Sequence, residues 1–201
     1  APWGEGKTWF GRNWNKDLND KEFKTIYIDS FEQDYIEDPF ILLASELLEK
    51  IKKDGTASEN KNFKKTATQV AKASLSTGAK IGVNLGARLL VGNIDLNEEF
   101  EKSIEEVGSY SADSISKIIE NRFDNYNKEK ESTIQFKEIV KKYSQKQDKP
   151  IVVFIDELDR CKPTFAVSLI ERIKHYFDVP NMIFILLLNK EQLENAVQGV
   201  Y

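Results

Sequence analysis

The sequence has 201 residues, 40% of them hydrophobic and 11% aromatic, and this composition excludes a disordered chain although 31% of the residues are charged. The formal charge of −4 gives no global positive field that would attract nucleic acid or anionic lipid, so a nucleic-acid partner is not supported. The single cysteine, Cys161, excludes an internal disulfide framework and fits a reducing compartment, so we expect a cytoplasmic location.

Helices and strands alternate along the predicted chain. The first helix is predicted from Thr8 to about Asn19, with Trp9, Phe10 and Trp14 available for packing. The remaining predicted elements are the strand Phe23–Asp29, the helix Phe40–Lys53, the helix Ile134–Tyr143, the strand Ile151–Ile155, the helix Pro163–Phe177, the strand Ile183–Leu188 and the helix Lys190–Gln198. Continuous apolar strands between helices indicate a parallel sheet covered on both faces, and so an α/β fold.

The stretch Thr56–Ser132 differs in character from the rest of the chain. It has few bulky apolar residues, scattered Lys, Asn and Glu, and polar breaks near both of its ends. We therefore predict a mainly helical insertion at residues 55–133. It separates a first part of the core, residues 1–54, from a second part, residues 134–201.

Small residues within the insertion raise the question of a membrane helix. The segment Ala67–Ile94 is interrupted by Lys72, Lys80 and Arg88, and the pieces between them are far shorter than the roughly 18 apolar residues that span a bilayer. We favour a helix that packs closely in a helical subdomain, with Glu98–Ile119 as its partner. No membrane span is predicted for this sequence.

The first eight residues fit the phosphate-binding pattern G-x-x-x-x-G-K-[ST], except that Ala1 replaces the first glycine. Gly4 and Gly6 would let backbone amides turn toward phosphate oxygens, Lys7 would neutralise the β and γ phosphates, and the Thr8 hydroxyl would ligate Mg²⁺. An ordinary glycine turn before a helix is the alternative. The predicted nucleotide-binding residues are Trp3, Gly4, Glu5, Gly6, Lys7, Thr8 and Trp9.

Two adjacent carboxylates follow the predicted strand Ile151–Ile155. In an open α/β sheet, ligands bind at the carboxyl ends of the strands. Asp156 would hold Mg²⁺, and Glu157 would orient and deprotonate the water that attacks the γ-phosphate. A solvated acidic turn is the alternative, and it is less favoured because the two carboxylates occur together with the phosphate-binding pattern.

Three further residues have two interpretations each. Asn189 follows an apolar strand, so it either helps Lys7 and Glu157 in catalysis by positioning the water or caps the next helix. Arg160 either stabilises γ-phosphate charge or pairs with Asp159 or another carboxylate. Cys161 is either a reactive thiol or a small buried side chain.

The segments Trp3-Gly4-Glu5-Gly6-Lys7-Thr8 and Phe154-Ile155-Asp156-Glu157-Leu158-Asp159-Arg160-Cys161 resemble the Walker A and Walker B motifs of the KAP family of P-loop NTPases. This resemblance implies a three-layer core with a parallel sheet and Mg²⁺-dependent ATP hydrolysis, in a group related to AAA+ and STAND NTPases. It also implies roles in membrane-associated signalling or bacterial anti-phage defence, and membrane association through other segments. The sequence departs from the family pattern at Ala1 and at Asn189, where the family has Gly and Asp.

The resemblance also implies a strand order of 5-1-4-3-2, in which the three predicted strands are strands 2, 3 and 4. We therefore expect strands 1 and 5 to lie outside this sequence, so that the core is truncated at both ends. A slowly hydrolysing nucleotide-dependent switch or scaffold is the main alternative function. A P-loop kinase is less favoured because only Arg88 and Arg122 are present in the insertion to form a lid. Self-association or binding of a partner protein is left open.

Overall fold

A parallel sheet of three strands lies at the centre of the protein. The computed structural model describes residues 4–75 and 112–198. The strands are β1 (Thr25–Asp29), β2 (Ile151–Asp156) and β3 (Met182–Leu187), in the order β1-β2-β3. Both pairings are parallel, as predicted from the alternation of helices and apolar strands. The order is also the one expected for strands 2, 3 and 4.

Seven α-helices are present in the described residues. They are α1 (Lys7–Asp20), α2 (Ser30–Gln33), α3 (Pro39–Asp54), α4 (Ala57–Leu75), α5 (Ala112–Gln145), α6 (Pro163–Arg172) and α7 (Lys190–Gln198). A 3₁₀ turn, Leu158–Arg160, follows β2, and a π-helical turn, Ile173–Phe177, continues α6. The predicted helix Pro163–Phe177 is therefore helical throughout but changes its hydrogen-bonding pattern after Arg172.

The middle strand β2 is buried along its whole length because it is paired on both edges and covered on both faces. In register, Asp156 lies opposite Asp29 of β1 and opposite Leu187 of β3. The three strands therefore end together, and Asp156 is at the carboxyl end of the central strand. Within the described part of the chain β3 is paired on one side only, and Ile183 and Leu186 stay exposed.

The larger core covers one face of the sheet. There α3 packs most of its apolar side chains, and its start is fixed locally, since the Asp38 carboxylate accepts a hydrogen bond from the Phe40 amide and Pro39 occupies the first helical position. The same core contains an aromatic cluster with ring centroids 4.9 to 6.4 Å apart. The members of this aromatic cluster are Phe40, Phe63, Phe136, Tyr176 and Phe177.

Helices α4 and α5 connect the predicted insertion to this core. Phe63 of α4 and Phe136 of α5 are both fully buried in the aromatic cluster. Helix α5 begins at Ala112 rather than at the predicted Ile134, and so it runs without a break across the predicted boundary between residues 133 and 134. The domain boundaries themselves stay a prediction. Most of the small-residue segment, and its predicted partner up to residue 111, lie outside the described residues.

Helix α1 covers the opposite face of the sheet above a smaller core. This core joins Val152 and Phe154 of β2 to Leu187 of β3, with Leu18 of α1 packed against it. The Trp14 ring meets the Phe154 ring edge-on, with centroids 5.6 Å apart. The sheet is thus covered by helices on both faces, and the two faces are covered by separate parts of the chain.

Candidate active site

The glycine-rich loop leads directly into α1. Gly4 and Gly6 have φ angles of 82° and 76°, the left-handed region that favours glycine. No atom of the residues that the structure describes lies within 4 Å of the position that a Cβ would occupy at either residue. Gly6 is the N-cap of α1, and its carbonyl accepts a hydrogen bond from the Phe10 amide at 2.8 Å. The open loop and the amides of the first helical turn form the kind of cradle that binds anions.

Helix α1 runs antiparallel to the strands, so its first turn lies at the carboxyl edge of the sheet. Near its end, the Asn19 side-chain amide donates a hydrogen bond to the Thr25 hydroxyl at the start of β1, at 2.7 Å. Near its start, Gly11 is so close to β3 that an added Cβ would lie 2.1 Å from Leu187 Cδ1. Thr8 precedes Gly11 by three residues, so the two share a helix face about 4.5 Å apart along the axis.

The Asp156 carboxylate lies at this same edge and is fully buried. Its Oδ2 accepts a hydrogen bond from the Tyr27 hydroxyl at 2.6 Å, and its Oδ1 accepts one from the Glu157 amide at 2.9 Å. The Tyr27 hydroxyl is also 3.3 Å from the Cβ position of Gly11. The first turns of α1 and the Asp156 carboxylate are therefore neighbours, separated by a single hydroxyl group.

Burial and the hydrogen bond to Asp156 raise the pKa of Tyr27 above its usual value. The hydroxyl therefore keeps its proton at neutral pH and acts as a donor to the carboxylate. The sequence analysis missed Tyr27. The available signal was a single hydroxyl group in the otherwise apolar run Ile26-Tyr27-Ile28, on a strand predicted to lie beside β2.

Glu157 has a left-handed backbone, with φ of 56°. Its amide also lies 3.2 Å from the Leu187 carbonyl oxygen, which joins the turn after β2 to the end of β3. Its carboxylate accepts a hydrogen bond from Arg160 Nη1 at 2.6 Å, and the Arg160 guanidinium lies 4.4 Å from the centre of the Phe31 ring. Both members of the ion pair are partly exposed. Glu157 is thus held at the carboxyl edge of the sheet, and its carboxylate is paired with the Arg160 guanidinium.

The residues at this edge fit a magnesium ion. Thr8 and Asp156 offer the hard oxygen atoms that Mg²⁺ prefers. Among residues 4–75 and 112–198, no three His, Cys, Asp or Glu side chains form a group that could hold a metal ion by themselves. Magnesium that keeps several waters and the phosphates of a nucleotide needs only one or two protein oxygens, so the donor set here is sufficient.

Comparison with known protein families shows to which family the chain belongs. The family model described as the KAP family P-loop domain matches residues 1–201, the whole of the sequence. The chain belongs to this family. No match to this chain was found among the curated proteins or among the solved structures. Family membership indicates nucleotide binding and hydrolysis as the general chemistry of the fold.

Most of the predicted site residues of this KAP domain lie at the carboxyl edge of the sheet. Gly4, Glu5, Gly6, Lys7 and Thr8 form the loop and first turn of α1, Asp156 is the last residue of the central strand, and Glu157 follows it. The side chain of Trp9 is 71% exposed and takes no part in the core. Trp3 lies outside the described residues. The roles of these residues stay predictions.

A cleft of about 830 Å³ opens between α2, the 3₁₀ turn and α7, and Asn189 lines it. Asn189 immediately precedes α7, and its carbonyl accepts a hydrogen bond from the Leu193 amide at 3.1 Å. Asn189 therefore occupies the position of a helix cap and borders a cleft that Arg160 also lines. The choice between water positioning and capping stays open.

The structure bears on Arg160 and Cys161, which each had two interpretations. Arg160 pairs with Glu157, and its role toward γ-phosphate charge stays a prediction. Cys161 is buried, and burial together with the nearby Asp34 and other carboxylates raises the pKa of its thiol to about 12. A thiol with such a pKa is not a reactive nucleophile at neutral pH, so the prediction of a buried small side chain is confirmed.

Across residues 4–75 and 112–198, no helix is both long enough and apolar enough to cross a bilayer.

Proposed function

We propose that this KAP domain binds ATP together with Mg²⁺ and hydrolyses the bond between the β and γ phosphates. The observation that carries the proposal is that the start of α1 and the end of β2, which are far apart in sequence, lie at the same edge of the sheet. The first turns of α1 reach the Tyr27 hydroxyl, and this hydroxyl is hydrogen-bonded to Asp156 Oδ2 at 2.6 Å. A loop built for phosphate and a carboxylate suited to Mg²⁺ thus lie at one edge of the sheet.

Each residue has a proposed role that follows from its chemistry. The amides at Gly4 and Gly6 bind phosphate oxygens, and the Lys7 ammonium group neutralises charge on the β and γ phosphates. The Thr8 hydroxyl and Asp156 hold Mg²⁺, which screens phosphate charge when it is bound. Glu157 orients the attacking water and accepts its proton.

ATP is favoured over GTP on sequence grounds. No N-K-x-D motif for reading guanine is present, because Asn189-Lys190 is followed by Glu191 and Gln192. The preference for adenine comes from the family resemblance. A coupling of hydrolysis to conformational change or assembly, and a setting in bacterial defence or signalling, are proposed on the same basis.

Glu157→Gln tests the proposed chemistry. The amide cannot accept the proton from water, so steady-state phosphate release should fall by about 100- to 10,000-fold. Affinity for ATP, measured with a fluorescent analogue, should change little because the phosphate loop is untouched. The matched control is Glu138→Gln on α5, whose carboxylate lies on the exposed helix surface. Unchanged turnover in Glu157→Gln would contradict the assignment of the base.

A slowly hydrolysing switch is the second candidate, and a specific contact favours it. The Glu157 carboxylate is paired with Arg160 at 2.6 Å through Oε2, so a cation engages one of the two oxygens of the proposed base. If the domain is a switch, we expect the rate of single-turnover hydrolysis to be much slower than the rate of nucleotide binding. We also expect different oligomeric states in ATP and in ADP. Fast multiple turnover with one oligomeric state would support the ordinary ATPase instead.

A further inference from the structure

The hydrogen bond between Tyr27 and Asp156 crosses from one strand to the next. In register, Tyr27 lies opposite Phe154, two residues before Asp156 on the same face of the sheet. The tyrosine side chain therefore reaches diagonally toward the carboxyl edge, where its hydroxyl donates to Asp156 Oδ2 at 2.6 Å. A shorter polar side chain at residue 27 would not cover this diagonal distance.

Several contacts fix the tyrosine in this orientation. Its ring stacks on the Phe154 ring, with centroids 5.8 Å apart and planes inclined by 24°. The Arg12 guanidinium lies 6.0 Å from the ring centre. Helix α1 leaves room for the hydroxyl because residue 11 is glycine, whose missing Cβ would be 3.3 Å from the hydroxyl oxygen. The donor is thus held in place before any ligand binds.

The carboxylate is correspondingly constrained. Oδ2 accepts from Tyr27, and Oδ1 accepts from the Glu157 amide, so both oxygens of Asp156 are fixed by one donor each. A carboxylate oxygen can accept more than one hydrogen bond, so each oxygen keeps capacity for a further partner at the edge of the sheet. Rotation of the carboxylate about its last bond would break both hydrogen bonds.

We infer that Tyr27 is a positioning residue, which holds the Asp156 carboxylate in the orientation required for binding Mg²⁺ with the nucleotide. The inference rests on the proposed function, because it concerns the same metal. Side chains that orient a metal-binding group typically change metal affinity by about 10- to 100-fold when they are removed. A purely structural hydrogen bond would instead change the stability of the fold and leave the metal dependence unaltered.

Tyr27→Phe separates these two roles, since phenylalanine keeps the stacked ring and removes only the hydroxyl. A fluorescent ATP analogue is titrated into the protein at increasing MgCl₂ and also in EDTA. We expect the Mg²⁺ concentration for half-maximal tight binding to rise about tenfold, with binding in EDTA unchanged. At saturating Mg²⁺ the turnover number should return to near the wild-type value. Tyr143→Phe, which removes a hydroxyl from a buried tyrosine on α5, is the matched control and should leave the Mg²⁺ dependence unchanged.

A double-mutant cycle tests whether Tyr27 acts through Asp156. In an Asp156→Asn background, adding Tyr27→Phe should make no further difference to the Mg²⁺ dependence. Equal Mg²⁺ dependence in wild type and Tyr27→Phe would overturn the inference, and so would a tenfold loss that persists in the Asp156→Asn background. A wild-type protein that binds and hydrolyses ATP without regard to Mg²⁺ would instead overturn the proposed function and, with it, this inference.

Discussion

Helix α1 packs closely against β3 at Gly11, and this packing determines whether the substitution Gly11→Ala stabilises or destabilises the protein. An alanine Cβ at residue 11 would lie 2.1 Å from Leu187 Cδ1 and 3.3 Å from the Tyr27 hydroxyl oxygen. The Leu187 side chain is buried, so its methyl group has little space into which it can move. Gly11→Ala therefore has to shift either the leucine or the helix.

Two opposing effects determine how much Gly11→Ala changes the free energy of unfolding. Overpacking a filled core costs about 1–3 kcal/mol, and alanine regains about 1 kcal/mol over glycine inside a helix. We expect a net loss of about 1 kcal/mol in the free energy of unfolding. Gly11→Val should lose at least about 1 kcal/mol more, because it adds two methyl groups at the same place. Urea denaturation followed by circular dichroism measures both changes.

The control separates packing from helix propensity. Lys16 is exposed on the same helix, so the difference between Lys16→Ala and Lys16→Gly reports the propensity of α1 without any clash. If Gly11→Ala stabilised the protein by this same difference, and valine were no worse, the close approach of α1 to Leu187 would be refuted. The placement of the first turns of α1 next to the Tyr27–Asp156 pair would then lose its support.

Two further predictions concern stability. Phe136→Ala should cost about 3–5 kcal/mol in the free energy of unfolding, because it empties the centre of the aromatic cluster, whereas Ile134→Ala, at a 54% exposed position on the same helix, should cost far less. Hydrogen bonds, first of all from Lys146, lower the pKa of Glu59 from 4.5 to about 2. Its stabilising effect is therefore fully present above pH 4.5 and is lost as the pH falls toward 2. Glu59→Gln should be less stable than wild type at pH 7 and equally stable near pH 2 in thermal unfolding; a difference that persists at pH 2 would contradict this reasoning.

The sequence was sufficient to predict the strands because their signal is local. The run Ile151–Ile155 is long, apolar and β-branched, and Asp156 follows it directly, so both the buried strand and its acidic end could be predicted. The glycines before Lys7 likewise predicted the turn into α1. These features depend on neighbouring residues alone, and the structure has them where the sequence placed them.

Other features depend on contacts that the sequence does not encode locally. The partner of Asp156 follows from the register of β1 against β2, which joins residues 129 positions apart. The length of α5 was underestimated because polar residues near Lys130 resembled a loop, whereas an exposed helix surface has the same composition. Trp9 was expected to be available for packing, yet its side chain is exposed, since only part of α1 faces the sheet.

The left-handed backbone at Glu157 lowers the stability of the fold at the residue to which we assign the proposed chemistry. A side chain with a Cβ pays roughly 1–2 kcal/mol for this conformation, and glycine avoids most of that cost. Under the proposed function, glycine would relieve the torsion and remove the carboxylate that takes a proton from water. The chain thus accepts a less favourable ground state in order to keep a carboxylate at this turn, a trade-off found at many enzyme centres.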